Sequence, residues 1–221
     1  DKQRHRSHAV EVPQLEAPYK SPLRPSRETL ATVPLADVRL LRGSMFERSF
    51  ATNLAFLKSV DTDALLLTWR LAAGMAWPKG NFRLMGWEHT GSELRGHFLG
   101  HWLSATAMSY ATTGDQSLAS ALAAVLHALE ECAAAHKSGY LSAFPTSFLD
   151  RLEEITPVWA PYYTLHKLLA GLLHVARLDP KLPADQQDRH RMAASTSASS
   201  TPAFTAASAA AASALRLAVG L

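Results

Sequence analysis

The spacing of apolar residues along the chain is mainly that of helices. Between positions 45 and 177 apolar side chains recur at intervals of three and four residues, which places them on one face of a helix. This pattern predicts five helices with the approximate ranges 45–59, 62–73, 93–112, 116–136 and 162–177. Apolar and polar residues alternate instead in 33–41, and this alternation predicts a short strand.

Residues that favour helix ends agree with these boundaries. Aspartate and serine side chains accept backbone N–H groups at the start of a helix, and glycine is favoured just after its end. The residues concerned are Asp61, Ser92 and Asp115 at N-termini, and Gly74, Gly114 and Gly139 at C-termini. Two connections are long, 75–91 and 138–161. Both are rich in aromatic residues, which is typical of a lid or a binding wall, although a local hydrophobic plug fits equally well.

The two ends of the chain differ in composition from the helical part. Residues 1–30 combine four prolines with charges and are predicted to be a flexible lead-in. Residues 181–208 are a low-complexity segment rich in Ala, Ser and Thr, and residues 209–221 are either the start of another helix or an unrelated tail. The main helical unit is therefore expected within 31–180.

Composition excludes several classes of protein. The net charge is only +3, and much of the positive charge lies near the N-terminus, so no nucleic-acid partner is expected. The single cysteine rules out an intrachain disulfide. No apolar run is expected to reach the roughly 20 residues of a membrane span, and no signal-peptide core is visible. A membrane partner is therefore not predicted, and the compartment stays unknown.

The greatest density of chemically active side chains lies at 86–105. A helix beginning at residue 93 would place Glu93, His97 and His101 on one stripe, with Glu88 arriving from the preceding loop. Gly96 and Gly100 would lie on the neighbouring stripe, where another helix can approach closely.

Three interpretations of this stripe are open. Two histidines four residues apart with a carboxylate can hold zinc, but the HExxH order is absent. The histidines can also be buried core residues bonded to backbone carbonyls. In the third interpretation they form the polar floor of a pocket for a hydroxyl-rich ligand, and tryptophans form its walls.

Four sequence segments carry a resemblance to a known family. They read GWEHTGSELRGHFLGHWLSA at 86–105, GYLSAFP at 139–145, FLDRLEEITPVWAPYYTLHKLLAGLL at 148–173 and VPLADVRLLRGSMFERSFATNLAFLKSVDTDALLLTWRLAAG at 33–74. In their order along the chain and in their spacing, these segments resemble the N-terminal part of glycoside hydrolase family 127, the β-L-arabinofuranosidase-like proteins. The resemblance implies an all-α fold, here roughly the first half of an (α/α)6 barrel, with the short N-terminal strand and disordered ends added.

The resemblance also implies an activity and a set of sugar-binding residues. The family removes non-reducing-end β-L-arabinofuranose from plant-type glycans, so an arabinofuranosyl carbohydrate is the expected partner. The residues that match its sugar-contacting positions are His166, Trp87, Glu88, His97, His101, Tyr140 and Tyr163. His166, in the YYTLHK segment, is the principal candidate.

The cleaving groups of the family have no counterpart in this sequence. The resemblance implies that the family's nucleophile is a cysteine thiolate. A glutamate and further cysteines in the later part of the barrel would hold this thiolate on zinc. Cys132 lies in an alanine-rich helix and is expected to be a packing residue. No catalytic residue, metal ligand or cofactor is therefore assigned here, and zinc is expected only in a full-length member. The alternative function is a non-catalytic carbohydrate-binding or decayed barrel fragment.

Overall fold

The described part of the protein is all-helical, as predicted. The structure, a computed structural model, describes residues 33–76, 84–136 and 138–178. Within these ranges it contains six α-helices and two short 3-10 turns, without a strand. The helices are α1 Met45–Ser59, α2 Thr62–Ala72, α3 His97–Thr113, α4 Gln116–Ala135, α5 Ser147–Glu153 and α6 Pro161–Ala176. The predictions for 1–30, 181–208 and 209–221, and for Trp77 and Phe82 in the first long loop, lie outside the described residues.

The strand predicted for 33–41 is wrong. The segment contains a 3-10 turn, Leu35–Asp37, in which the Asp37 N–H donates to the Pro34 carbonyl at 2.9 Å. A strand needs a neighbouring strand to satisfy its backbone groups, and the described residues contain none. The 3-10 turn instead pairs some of these backbone groups within the segment itself.

Several helix ends are set by the predicted capping residues. The Asp61 carboxylate accepts from the Asp63 and Ala64 N–H groups at 3.0 and 3.1 Å, and Asp115 accepts from Ser117 N–H at 3.0 Å. Caps of this kind are worth about 1 kcal/mol each. Helix α5 was not predicted, because its seven residues are too few to show a helical period.

The core is built by α2, α3, α4 and α6. Each supplies a stripe of leucines and other apolar residues, and the largest fully buried side chains include Trp69, Trp102 and Phe144. Burying a side chain of this kind contributes roughly 1.5–3 kcal/mol. These four helices therefore hold the described residues together.

Helices α3 and α6 approach each other to backbone contact. A Cβ atom at Gly100 would lie 2.2 Å from the Lys167 carbonyl, and one at Gly171 would lie 2.7 Å from the Gly100 carbonyl oxygen. The close approach predicted at Gly100 is confirmed. Gly96 lies instead against the second long loop, where its Cβ would be 2.2 Å from that of Ala143.

Helix α4 contradicts the expectation that no apolar segment is long enough to span a membrane. Its 20 residues include an 18-residue window with a mean hydropathy of 1.4, which meets the length and composition of a membrane span among the described residues. The expectation that no apolar run approaches that length is therefore wrong. Leu118, Leu122, Leu126 and Leu129 of α4 are buried in the core, which is also typical of a central helix in a globular domain.

Candidate functional site

The N-terminus of α3 differs from the prediction. The helix begins at His97 rather than at residue 93, and Gly96 precedes it with a φ of 91° in the left-handed region. Ser92 does act as a local cap, but its hydroxyl accepts from Leu94 N–H at 3.2 Å within a turn. Glu93 is therefore not on the helical stripe of His97 and His101.

Glu88 takes over the capping of α3. Its two carboxylate oxygens accept from the Gly96 N–H at 2.7 Å and from the Phe98 N–H at 3.0 Å. These amides have no partner inside the helix, and a negative charge is favourable at a helix N-terminus. A residue eight positions before Gly96 thus satisfies the start of the helix.

The same carboxylate binds a histidine. His97 Nδ1 lies 2.7 Å from Glu88 Oε1 and 2.9 Å from the Leu94 carbonyl oxygen. His97 is buried, with 7% of its surface exposed. Both partners contact Nδ1, so the opposite edge of the ring, with Nε2, is left for other contacts.

Four of the predicted site residues form one cluster, which we call the ring cluster: Trp87, His97, His101 and Tyr163. The His97 ring centroid lies 6.1 Å from that of Trp87, 5.8 Å from that of His101 and 5.9 Å from that of Tyr163. His97 is the central member, whereas the other three are exposed. The cluster joins α3 to α6 and to the 3-10 turn Gly86–Glu88.

A cation borders the ring cluster. Lys167 Nζ lies 4.8 Å from the Tyr163 ring centroid, within range of a cation–π interaction. Partial burial lowers the pKa of His101 below its usual value, and the charge of Lys167 and the neighbouring His97 lower it further. His101 is therefore favoured in its neutral form, which can donate and accept hydrogen bonds.

A second contact, the Glu93–Arg151 clasp, joins the segment just before α3 to α5 and the second long loop. Arg151 Nη1 donates to Glu93 Oε1 at 2.6 Å, and the Trp159 N–H donates to Glu93 Oε2 at 2.7 Å. These hydrogen bonds lower the pKa of Glu93, and the Arg151 bond contributes most. The guanidinium groups of Arg95 and Arg151 lie 4.9 and 5.4 Å from the Phe148 ring centroid.

Sequence reasoning missed this clasp. Arg151 lies on the unpredicted helix α5, and its partner Glu93 had been placed on α3. The one sequence signal for an ion pair here was the charge pattern, because the second long loop contains an arginine among three carboxylates. Lys167 was likewise not predicted as a site residue.

Two predicted site residues lie outside the ring cluster. The Tyr140 hydroxyl donates to the Phe144 carbonyl at 3.0 Å, and its ring contacts that of His136 at 5.0 Å. His166 is exposed on α6, and no hydrogen bond or ring contact joins it to another described residue. The three imidazoles at 97, 101 and 166 therefore do not form one contact group in the described part of the chain.

The described residues thus form a helical core with a histidine and aromatic cluster at one end of two helices. A family model described as Beta-L-arabinofuranosidase, GH127 catalytic domain, matches residues 37–181. The match covers more than half of the chain, which therefore belongs to glycoside hydrolase family 127. The comparison with curated proteins gave no match.

The described residues do not fit a zinc site. Within them there is no group of three or more His, Cys, Asp or Glu side chains placed to hold a metal ion. The one cysteine of the sequence, Cys132, is buried against Met75, with 3.8 Å between the sulfur atoms. Burial raises the pKa of its thiol to about 11, which disfavours the thiolate that binds metals. Zinc in a full-length member stays a prediction.

Proposed function

We propose that the described helices are part of an (α/α)6 barrel and that the ring cluster is part of its sugar-binding site. The sugar is L-arabinofuranose at the non-reducing end of a plant-type glycan. The family membership supports a glycoside hydrolase. The observation that carries the assignment to this end of the molecule is the contact of His97 with Trp87, His101 and Tyr163.

The chemistry of the ring cluster suits a furanose. A furanose ring presents several hydroxyl groups and a small apolar face. Neutral histidines supply both donors and acceptors for hydroxyls, and an exposed tryptophan such as Trp87 provides a flat apolar surface. Tyr140 and His166 stay predictions as further contacts at the edge of this site.

We further propose that these 221 residues bind sugar without cleaving it. A retaining glycosidase needs an acid/base group and a nucleophile on either side of the scissile bond. The family's cysteine nucleophile and zinc ligands cannot come from the single, buried Cys132. The same observation favours the second candidate function, a non-catalytic carbohydrate-binding or decayed fragment.

Calorimetric titration with L-arabinose tests the binding site. We expect heat of binding from the chain, a weaker affinity in Trp87→Ala, and an unchanged affinity in Tyr162→Ala. Tyr162 is a matched control because it is equally exposed and precedes Tyr163 on α6, but it is not a member of the ring cluster. Equal losses in both variants would contradict the assignment.

Turnover of p-nitrophenyl β-L-arabinofuranoside tests the division between binding and cleavage. We expect no product from the 221 residues and product from a chain extended through further coding sequence. Release of product by the 221 residues would contradict the proposal that the cleaving groups are missing from them. Absence of both binding and turnover in the extended chain would favour the decayed fragment.

A further inference from the structure

The side chain of Glu88 is fully engaged within the protein. Its oxygens bind two backbone amides, those of Gly96 and Phe98, and the imidazole of His97. The side chain is 14% exposed. The resemblance placed Glu88 among residues that contact the sugar, but these three partners suit a residue that acts on its neighbours instead.

The two partners of His97 determine which of its nitrogens carries the proton. The Leu94 carbonyl oxygen can only accept a hydrogen bond, and a carboxylate oxygen also accepts. Because both contact Nδ1, this nitrogen must carry the hydrogen and donate it. Nε2 of the neutral ring then has a free lone pair, since the bond made by one ring nitrogen sets the state of the other.

The imidazole of His97 contacts the other three rings of the ring cluster. No hydrogen bond joins Nε2 to a described residue, and the His97 ring is bordered by those of Trp87, His101 and Tyr163. A ring locked in this tautomer can accept a hydrogen bond from a sugar hydroxyl, whereas the other tautomer can only donate through Nε2.

We propose that Glu88 is a positioning residue that holds His97 in the Nδ1–H tautomer and so presents Nε2 as a hydrogen-bond acceptor to a sugar hydroxyl. The identity of the ligand rests on the proposed function, but the tautomer does not. Glu88 thereby joins the start of α3 to the ring cluster, because the same carboxylate caps the helix and orients its first side chain.

Imidazole ¹⁵N NMR of the full chain at a pH above the titration of histidine tests the tautomer directly. We expect the Nδ1–H pattern for His97 in the wild type and a shift toward the Nε2–H pattern in Glu88→Gln, whose amide cannot accept through both terminal atoms. Glu93→Gln is the matched control, because Glu93 also accepts a backbone N–H but has no contact with His97. It should leave the His97 signals unchanged.

Two outcomes would overturn the proposal. One is an Nε2–H tautomer in the wild type, a result that decides the question even if Glu88→Gln does not fold. The other is a folded Glu88→Gln with an unchanged Nδ1–H pattern, which would mean that the Leu94 carbonyl alone sets the tautomer and Glu88 only caps α3.

Affinity for L-arabinose separates this proposal from the proposed function. We expect Glu88→Gln to weaken binding about five-fold, the loss of roughly one hydrogen bond, and to cause no further loss in a His97→Gln background. Additive losses in the double variant would overturn the coupling. If the wild type binds no L-arabinose, the proposed function fails, and the NMR result still decides the role of Glu88.

Discussion

The two flanks of α3 are packed in different ways. Toward α6, the backbones touch at Gly100 and Gly171, and the ring cluster lies across the same pair of helices. Toward α1, the described contacts are made by side chains, such as the Trp102 indole N–H that donates to the Leu57 carbonyl at 3.2 Å. Helix α1 itself has no buried residue.

This difference shows that a regular apolar spacing does not indicate how closely a helix packs against its neighbours. Helix α1 has a regular apolar spacing, yet Phe46 on that spacing is 65% exposed. The tight flank is marked instead by glycines, which permit a separation that no side chain allows. The candidate site is built on the tight flank, where its side chains are held by rigid elements.

The largest expected effect comes from filling the α3–α6 contact. Helix propensity alone predicts that Gly100→Ala stabilises the protein by about 1 kcal/mol. The new Cβ would instead lie 2.2 Å from the Lys167 backbone, so the helices must separate. We expect a net loss of about 2–3 kcal/mol in the free energy of unfolding, measured with urea.

Gly171→Ala checks the same contact from the other helix. Its Cβ would lie 2.7 Å from the Gly100 carbonyl oxygen and 2.8 Å from the Leu103 Cβ, so a smaller but clear loss is expected. A gain in stability in either variant would show that the two backbones are not in contact in solution.

The next effect concerns the Glu93–Arg151 clasp. Glu93→Gln removes the charge from a hydrogen-bonded pair that is about 30% exposed, so we expect a loss of about 1 kcal/mol at pH 7. The pKa of Glu93 is lowered in the folded state, so its contribution is present above the usual value of 4.5 and is lost as the pH falls below it. Wild type and variant should therefore converge in acid unfolding curves. A constant difference down to pH 3 would contradict this account.

Much of the fold could be predicted from the sequence because the signals are local. Asp61 and Asp115 cap helices by contacts to the next two or three residues, and a 3.6-residue period is visible within one helix. The errors arise where distant residues decide. Helix α3 begins at His97 because Glu88 reaches its first amides, and Ser92, with the better local signal, caps only a turn.

In the candidate site too, contacts within one helix could be predicted, whereas contacts between distant segments could not. His97 and His101 could be paired from their spacing of four residues on one helix. The addition of Tyr163 from α6 depends on the glycine contact between the helices, which the spacing indicated only as a possibility. The addition of Trp87 depends on the 3-10 turn whose Glu88 caps α3. The Glu93–Arg151 clasp could not be predicted, because its two residues lie 58 positions apart in the sequence.

A smaller effect is expected on the exposed flank. Phe46→Ser should change the free energy of unfolding by no more than about 0.5 kcal/mol, because the side chain is already exposed. The isolated chain is expected to self-associate through exposed apolar groups such as Phe46 and Leu41, and the variant should raise the monomer fraction in sedimentation. A sharp, cooperative melt of a monomeric wild type would contradict the expected association.

The smallest effect is a pH dependence at the ring cluster. The folded pKa of His101 is lowered from its usual 6.5, first by burial and then by the nearby Lys167 and His97. As the pH falls from about 7 to 5 the unfolded chain takes up this proton before the folded chain, so the free energy of unfolding decreases. His101→Gln should flatten this decrease in chemical unfolding measured across that range. Lys167→Gln should flatten it only in part, because burial is the first cause. Equal slopes in the wild type and in His101→Gln would show that folding does not lower the pKa of His101.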